Sequence, residues 1–486
     1  MCLTAEQNYA FDVGGFLILP GILSKFDLED ARESLSSVGQ GEALPDPLVR
    51  LRDHPEIAPY LEELTFDGYH AEGAPAPVDV DRPTGLEGGG APREHTRSYL
   101  QQNDVRFTQG IIVLWALDDI AEGDGGFVFV PASHNSSVEA PSDLTGDEAG
   151  DLIEQVVLHT GDVFICVEGL LHGRRPWREE RRLIAFTYAS DKAQRPGQAQ
   201  EDPPPAWVSE LSPEQRAVVA PQGRPYAPPI LESDGDTVSL REEPGVFHPS
   251  IYVRNPDSEI DGQEFYHWDL CGHLVLKGVM DAEWLKATNE AIDQNADLIE
   301  VGGDAAKGST VLAGTGVPSL KGLFDLPEPH AEPFRRMLAH PAVVHRLNWM
   351  MGSGFMFRNA RAICSVKGTS GHGLHSGRDP ARPVGTYVVQ NGRTYCEAIN
   401  VAWQLRDVTE ADGGFVCIPG SHKARYPITR NTITCDQTMG LVKHVEMAAG
   451  DVAIFLAAAQ THGAYPWRSD IDRRVVLMGY VSRNIA

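Results

Sequence analysis

The hydrophobic positions of this chain fall into short runs rather than long stripes. "IIVLWALDD" (111–119), "GGFVFVP" (125–131), "GDVFICV" (161–167) and "RLIAFTYA" (182–189) are β-branched or aromatic, with Gly, Asp and Pro between them. That is strand chemistry. A helical pattern is clearest in "DAEWLKATNEAIDQNADLI" (281–299), which follows the apolar run "GHLVL" and would pack on the outside of a sheet. Many short strands at regular spacing predict a sandwich or barrel, with a jelly roll as the natural candidate.

The pattern occurs twice. "IIVLWALDDIAEGDGGFVFVPASH" (111–134) matches "INVAWQLRDVTEADGGFVCIPGSH" (399–422), so that Trp115 pairs with Trp403 and His134 with His422 at one offset of 288. "GDVFICVEGLLHGRRPW" faces "GDVAIFLAAAQTHGAYPW", and "RRLIAFTYAS" faces "RRVVLMGYVS". Such self-similarity is the sequence signature of a repeated unit. The predicted fold class is mainly β with flanking helices (α+β), as two tandem double-stranded β-helix (jelly-roll, cupin-like) domains. Their bounds are 1–195 and 251–486, and a Pro-rich linker or tail, 196–250, lies between them.

A length of 486 residues suits two or more domains. With 41 Lys and Arg against 68 Asp and Glu, the formal charge of −27 argues against nucleic acid or an anionic membrane as partner. Seven cysteines, with no CxxC pair, fit a reducing compartment and provide no thiolate metal framework. The first residues lack a basic start followed by an apolar segment, and no apolar run reaches membrane-spanning length. The expectation is a cytoplasmic protein with a small-molecule substrate, either a monomer whose copies form an intrachain pseudo-dimer or a homodimer.

The chemistry concentrates in the second copy. Non-haem Fe(II) oxygenases hold the metal with two His and one carboxylate and leave three positions open. His375 precedes the "NVAWQL" strand and His462 follows the "GD" strand; Arg473, eleven residues beyond, falls on the next strand. An inward guanidinium there can pair bidentately with a 2-oxo acid's distal carboxylate. In the first copy the 288 offset puts Glu87 at the place of His375, while His172 and Arg181 match His462 and Arg473 after small gaps. With one His and one Glu, that copy reads as non-catalytic. His134 and His422 recur in both copies, which favours a hydrogen-bonding role over metal ligation.

"YHWDLCGHLVLKGVMDAEWLKATNEAID", "LHSG", "DGGFVCIPGSHKARYP" and "GDVAIFLAAAQTHGAYPW…RR" together resemble the phytanoyl-CoA dioxygenase family. The resemblance covers nearly all of the second copy and, more weakly, most of the first. It implies a double-stranded β-helix, Fe(II) and 2-oxoglutarate with O₂, His375 and His462 as iron ligands, Arg473 as the 2-oxoglutarate clamp, and Trp403 near the cosubstrate. One departure stands out. The family's first motif is His-x-Asp, and here it is His375-Ser376-Gly377. Either Asp379 reaches back as the carboxylate, or two histidines hold the metal with water or halide in the third position, as in the related halogenases. The expected activity is an Fe(II)/2-oxoglutarate-dependent hydroxylase acting on a small organic metabolite. The alternatives are a halogenase-type site and a non-catalytic duplicated jelly-roll binding protein.

Overall fold

A computed structural model of the chain describes residues 2–35, 45–65, 68–77, 84–91, 97–102, 105–142, 144, 152–179, 181–191, 213, 230–233, 237–241, 260–303, 305–351, 355–377, 385, 387–390 and 393–481. Asp379 and most of the segment 196–250 lie outside these residues. The fold is mainly β with flanking helices. No described helix is long and apolar enough to cross a membrane.

The N-terminal half builds a five-stranded antiparallel sheet in the order Phe16–Leu19, Val163–Val167, Gly110–Ala116, Leu183–Ser190, Tyr69–Pro77. A four-stranded sheet, Thr84–Glu87, His172–Arg175, Gly126–Phe129, Glu154–Gln155, shares an apolar core with it. The C-terminal half repeats this order. Its larger sheet runs His273–Leu276, Val452–Leu456, Ala398–Gln404, Arg473–Val481, Met356–Ser365, and two further short strands, Pro318–Leu320 and Glu300–Val301, extend its edge. The smaller sheet runs His372–His375, His462–Tyr465, Gly414–Cys417, Lys443–His444. The expected helix is present as Ala282–Gln294; Asp281 caps it by accepting from Trp284 N–H at 2.7 Å, and Trp284, Thr288, Ala291 and Ile292 form its buried face. Within the stretch 196–250, Ile230–Ser233 and Val238–Arg241 pair as a two-stranded hairpin.

Two helices absent from the sequence pattern open the halves, Ala5–Gly14 and Gly262–Cys271. Both end in a glycine in the left-handed region, Gly15 (φ 84°) and Gly272 (φ 76°), the usual helix stop. Each helix crosses to the other half. Tyr9 and Phe11 share a core cluster with Leu374, Val416 and Ile418, while Phe265, Tyr266 and Leu270 share one with Val130, Ala132 and Leu171.

The polar contacts are reciprocal too. Asp12 accepts from the Tyr99 hydroxyl (2.8 Å) and from the backbone N–H of Arg425 (2.5 Å). Asp269 accepts from the Tyr387 hydroxyl (2.9 Å) and from the backbone N–H of Ser137 (2.9 Å). Positions 99 and 387, like 137 and 425, differ by 288. His134 and His422 take the hydrogen-bonding role expected of them, each donating Nε2–H to a helix carbonyl, that of Asp12 (3.1 Å) and of Asp269 (2.9 Å).

Candidate metal and cosubstrate site

The strands His372–His375 and His462–Tyr465 pair antiparallel with His375 opposite His462, and the two imidazole centroids lie 4.3 Å apart. Each ring is fixed by its own strand. His462 donates Nδ1–H to the Gln460 carbonyl at 2.9 Å, and His375 donates Nδ1–H to the Gly373 carbonyl at 3.2 Å. A ring whose proton sits on Nδ1 keeps its lone pair on Nε2, the form a metal takes. Burial reinforces neutrality: it lowers the pKa of His462 to about 4, and that of His375, also beside His462 and His372, to about 2. His372 sits next in line, its ring centroid 4.4 Å from that of His375.

Arg473 begins the strand Arg473–Val481 and is 8% exposed. Among the described residues its Nε–H has no hydrogen-bond partner, and burial lowers its pKa to about 10. It has no ion pair among the described residues. Arg474, one residue on and facing the other way, pairs with Asp293 and Asp472 at 2.6 Å each. A buried guanidinium without a counter-charge is costly unless an anion reaches it. Arg473, His375 and His462 line one cavity of about 520 Å³ between the two sheets.

Corresponding rungs of the two β-ladders differ around this cavity. Leu114 pairs with Phe164 in the first half; Ala402 pairs with Ala453 in the second. Phe129 stands opposite His172, whereas Cys417 stands opposite His462. Three large side chains have thus become small ones. Gly126 has the Trp177 indole against its Cα, whereas its counterpart Gly414 has the Arg473 guanidinium there. Glu87 occupies the rung of His375, 3.8 Å from the His172 imidazole, and Arg97 joins Glu87 to Glu168. Arg181 pairs with Asp124 (3.2 Å) and Glu179 (3.1 Å). At these positions the first half carries salt links and larger side chains where the second lines its cavity.

Two expectations meet the structure differently. Trp403 does not line the cavity. It is fully buried on the opposite face of its strand, 5.4 Å from Trp284 and 5.6 Å from His340 between ring centroids, because strand neighbours alternate and Ala402 takes the inner side. Asp379 lies outside the described residues, and among the described residues no group of three His, Cys, Asp or Glu is placed to hold a metal. The turn after His375 is left-handed at both Ser376 (φ 65°) and Gly377 (φ 91°), and a Cβ at position 377 would meet Thr461 Oγ1 at 2.6 Å. Both features favour glycine at position 377, which offers no side-chain donor. Sequence reasoning also missed Asn359, Arg361 and Asn400, which line the cavity from the larger sheet.

Two neutral histidines and an uncompensated arginine in one cavity fit an Fe(II)/2-oxoglutarate-dependent dioxygenase-type enzyme. Residues 268–475 match the phytanoyl-CoA dioxygenase (PhyH) family model. Curated proteins provide no match. Among solved structures, HygX from Streptomyces hygroscopicus, with nickel and 2-oxoglutarate bound, is 19% identical at a TM-score of 0.39, over 46% of this chain and 88% of that one. The carbocyclase SnoK of nogalamycin biosynthesis is 17% identical (TM-score 0.35, 46% and 85%), and EctD from S. alaskensis 15% (0.36, 47% and 79%).

Proposed function

We propose that the chain is an Fe(II)/2-oxoglutarate-dependent hydroxylase of a small organic metabolite, active in its C-terminal half. The observation that carries this reading is the buried Arg473, without a counter-ion among the described residues, in the same cavity as the neutral pair His375 and His462. In this reading the two histidines hold the iron, Asp379 supplies the third donor, and the Arg473 guanidinium receives the distal carboxylate of 2-oxoglutarate. When bound, the iron supplies the O₂-dependent oxidation that the side chains cannot perform. The residues of this chain orient the cosubstrate, keep both imidazoles deprotonated and exclude water. Purified protein given Fe(II), 2-oxoglutarate and O₂ is expected to form succinate, and His462→Ala to abolish it. A wild-type protein that neither retains iron nor forms succinate would be a binding module instead. The glycine at position 377 favours one second reading, a two-histidine site that takes halide. In that case Asp379→Ala keeps iron, and products incorporate chloride when chloride is present.

We also propose that 1–195 and 251–486 are tandem copies, the first non-catalytic, that interlock as a pseudo-dimer within a monomeric chain. Matching strand orders and the reciprocal Asp12 and Asp269 contacts support this, since such exchange is how a two-fold interface is built. Light scattering of the intact protein checks it, with about 53 kDa expected, the mass of one chain.

A further inference from the structure

The chain carries 27 more acidic than basic residues, yet no Asp or Glu lines the catalytic cavity among the described residues. Its charged lining is Lys321, Arg361 and Arg473. Arg473 is accounted for by 2-oxoglutarate. Lys321 is largely satisfied by Glu300 at 2.9 Å. Arg361 has no ion pair or hydrogen bond among the described residues, and it stands on a different strand from Arg473. Its rung partner is Leu477, four residues along the strand from Arg473, so the two backbones are about 14 Å apart. Even-numbered neighbours Ala362 and Cys364 turn into the core, while Asn359, Arg361 and Ile363 face the cavity. Asn400 joins them from the adjacent rungs, with both Asn359 and Asn400 flanking Gly479. The positive charge of Arg361 also reaches His372, contributing after burial and Lys307 to that ring's lowered proton affinity.

We infer that Arg361, flanked by Asn359 and Asn400, docks an anionic group of the substrate, a carboxylate or a phosphate, at the mouth of the cavity while Arg473 holds 2-oxoglutarate. The inference rests on the proposed oxygenase site and names its substrate class. A positive subsite in an otherwise acidic molecule concentrates anions at the cavity and rejects cations. Arginine presents a planar fork suited to either oxyanion, and the two amides add neutral donors. Because Asn359 and Arg361 are exposed on the strand Met356–Ser365, the docked group stays near solvent and the rest of the substrate extends inward toward His375.

The test uses the full chain loaded with Mn(II) and saturating 2-oxoglutarate, so that Arg473 is already occupied. Paramagnetic relaxation of ³¹P in inorganic phosphate, and of ¹³C in labelled butyrate, reports an anion held near the metal. The wild type is expected to enhance relaxation of at least one probe, and which one responds identifies the oxyanion. Arg361→Ala should weaken that probe's binding about tenfold or more, Arg361→Lys should restore part of it, and both variants should bind 2-oxoglutarate within about twofold of wild type. Unchanged probe relaxation in Arg361→Ala would overturn the inference, as would wild-type protein that binds 2-oxoglutarate but enhances neither probe. Loss of 2-oxoglutarate binding in Arg361→Ala would assign the arginine to the cosubstrate and overturn it too. Failure of the wild type to bind 2-oxoglutarate at all would instead remove the oxygenase reading beneath it.

Discussion

Replacing Arg473 by methionine separates binding from folding. The side chain is buried, and among the described residues its Nε–H is unpartnered and no carboxylate balances its charge. In the loaded enzyme its fork would make two charge-assisted hydrogen bonds to 2-oxoglutarate, each worth about 1.5–3 kcal/mol. Taking about 3 kcal/mol for the pair, since such terms are not additive, the 2-oxoglutarate Kd rises on the order of 100-fold. Folding responds the other way. Burial already disfavours the charged guanidinium, with its pKa pushed down to about 10, so an apolar side chain of similar length leaves the Tm of the ligand-free protein unchanged or raises it. Arg473→Lys keeps a charge without the fork and falls between. Calorimetric titration of 2-oxoglutarate into Mn(II)-loaded protein, with thermal melts of the ligand-free variants, measures both quantities. A methionine variant that binds 2-oxoglutarate within about threefold of wild type would refute the assignment of the clamp.

Filling the cavity is a second route to the same site: Ala453→Phe restores the ring that Phe164 places on the matching rung, and should abolish succinate formation while shifting Tm by only a few degrees, whereas Glu87→Ala in the filled half should leave turnover unchanged. Acid should destabilise the protein before any carboxylate titrates. His134 and His422 are fully buried, each has an Nδ1 with no partner for a second proton, and burial lowers both pKa values to about 3 against about 6.5 when unfolded. A depressed folded-state pKa means that the unfolded chain binds more protons, so stability is full above pH ~6.5 and falls below it, by roughly 2 kcal/mol per histidine at pH 5. Urea midpoints at pH 7 and pH 5 test this, and the His134→Gln/His422→Gln double variant should reduce the dependence by the share of these two rings, with His375, His462 and His273, also lowered by burial, carrying the rest. Finally, Asp269→Ala leaves Lys423, now 2.6 Å from that carboxylate, buried without its counter-charge, and should cost about 3–5 kcal/mol in chemical denaturation; Asp269→Asn should cost less because its one amide oxygen can still accept from the Ser137 N–H and Lys423.

The β-ladders were legible because their signal is local. Short β-branched runs bounded by Gly and Asp mark strands, and residues recurring at one offset reveal which strands correspond. His375, His462 and Arg473 could be found that way, since each sits at a fixed distance from a recognisable strand. The opening helices could not. Tyr9 through Gly14 are all buried, so Ala5–Gly14 has no polar face to give it a helical period, and what covers it belongs to the other half of the chain. Trp403 illustrates a different limit: a strand presents two faces, and the matching Trp115 and Trp403 do not tell which face turns inward. The cavity was written in the alignment as Phe164 against Ala453 and Phe129 against Cys417. Its meaning needed the register that puts these pairs between the same two sheets. Arg361 had no counterpart motif to draw attention to it; only the charge of the cavity wall does so.

The central claim, one metal and one 2-oxoglutarate per chain, both in the C-terminal half, is tested most directly by anomalous diffraction at the iron edge from crystals grown with Fe(II) and 2-oxoglutarate without O₂. The account predicts a single iron peak between the imidazoles of His375 and His462, with 2-oxoglutarate reaching Arg473, and no peak between Glu87 and His172. A peak in the first half, or 2-oxoglutarate bound away from Arg473, would contradict it.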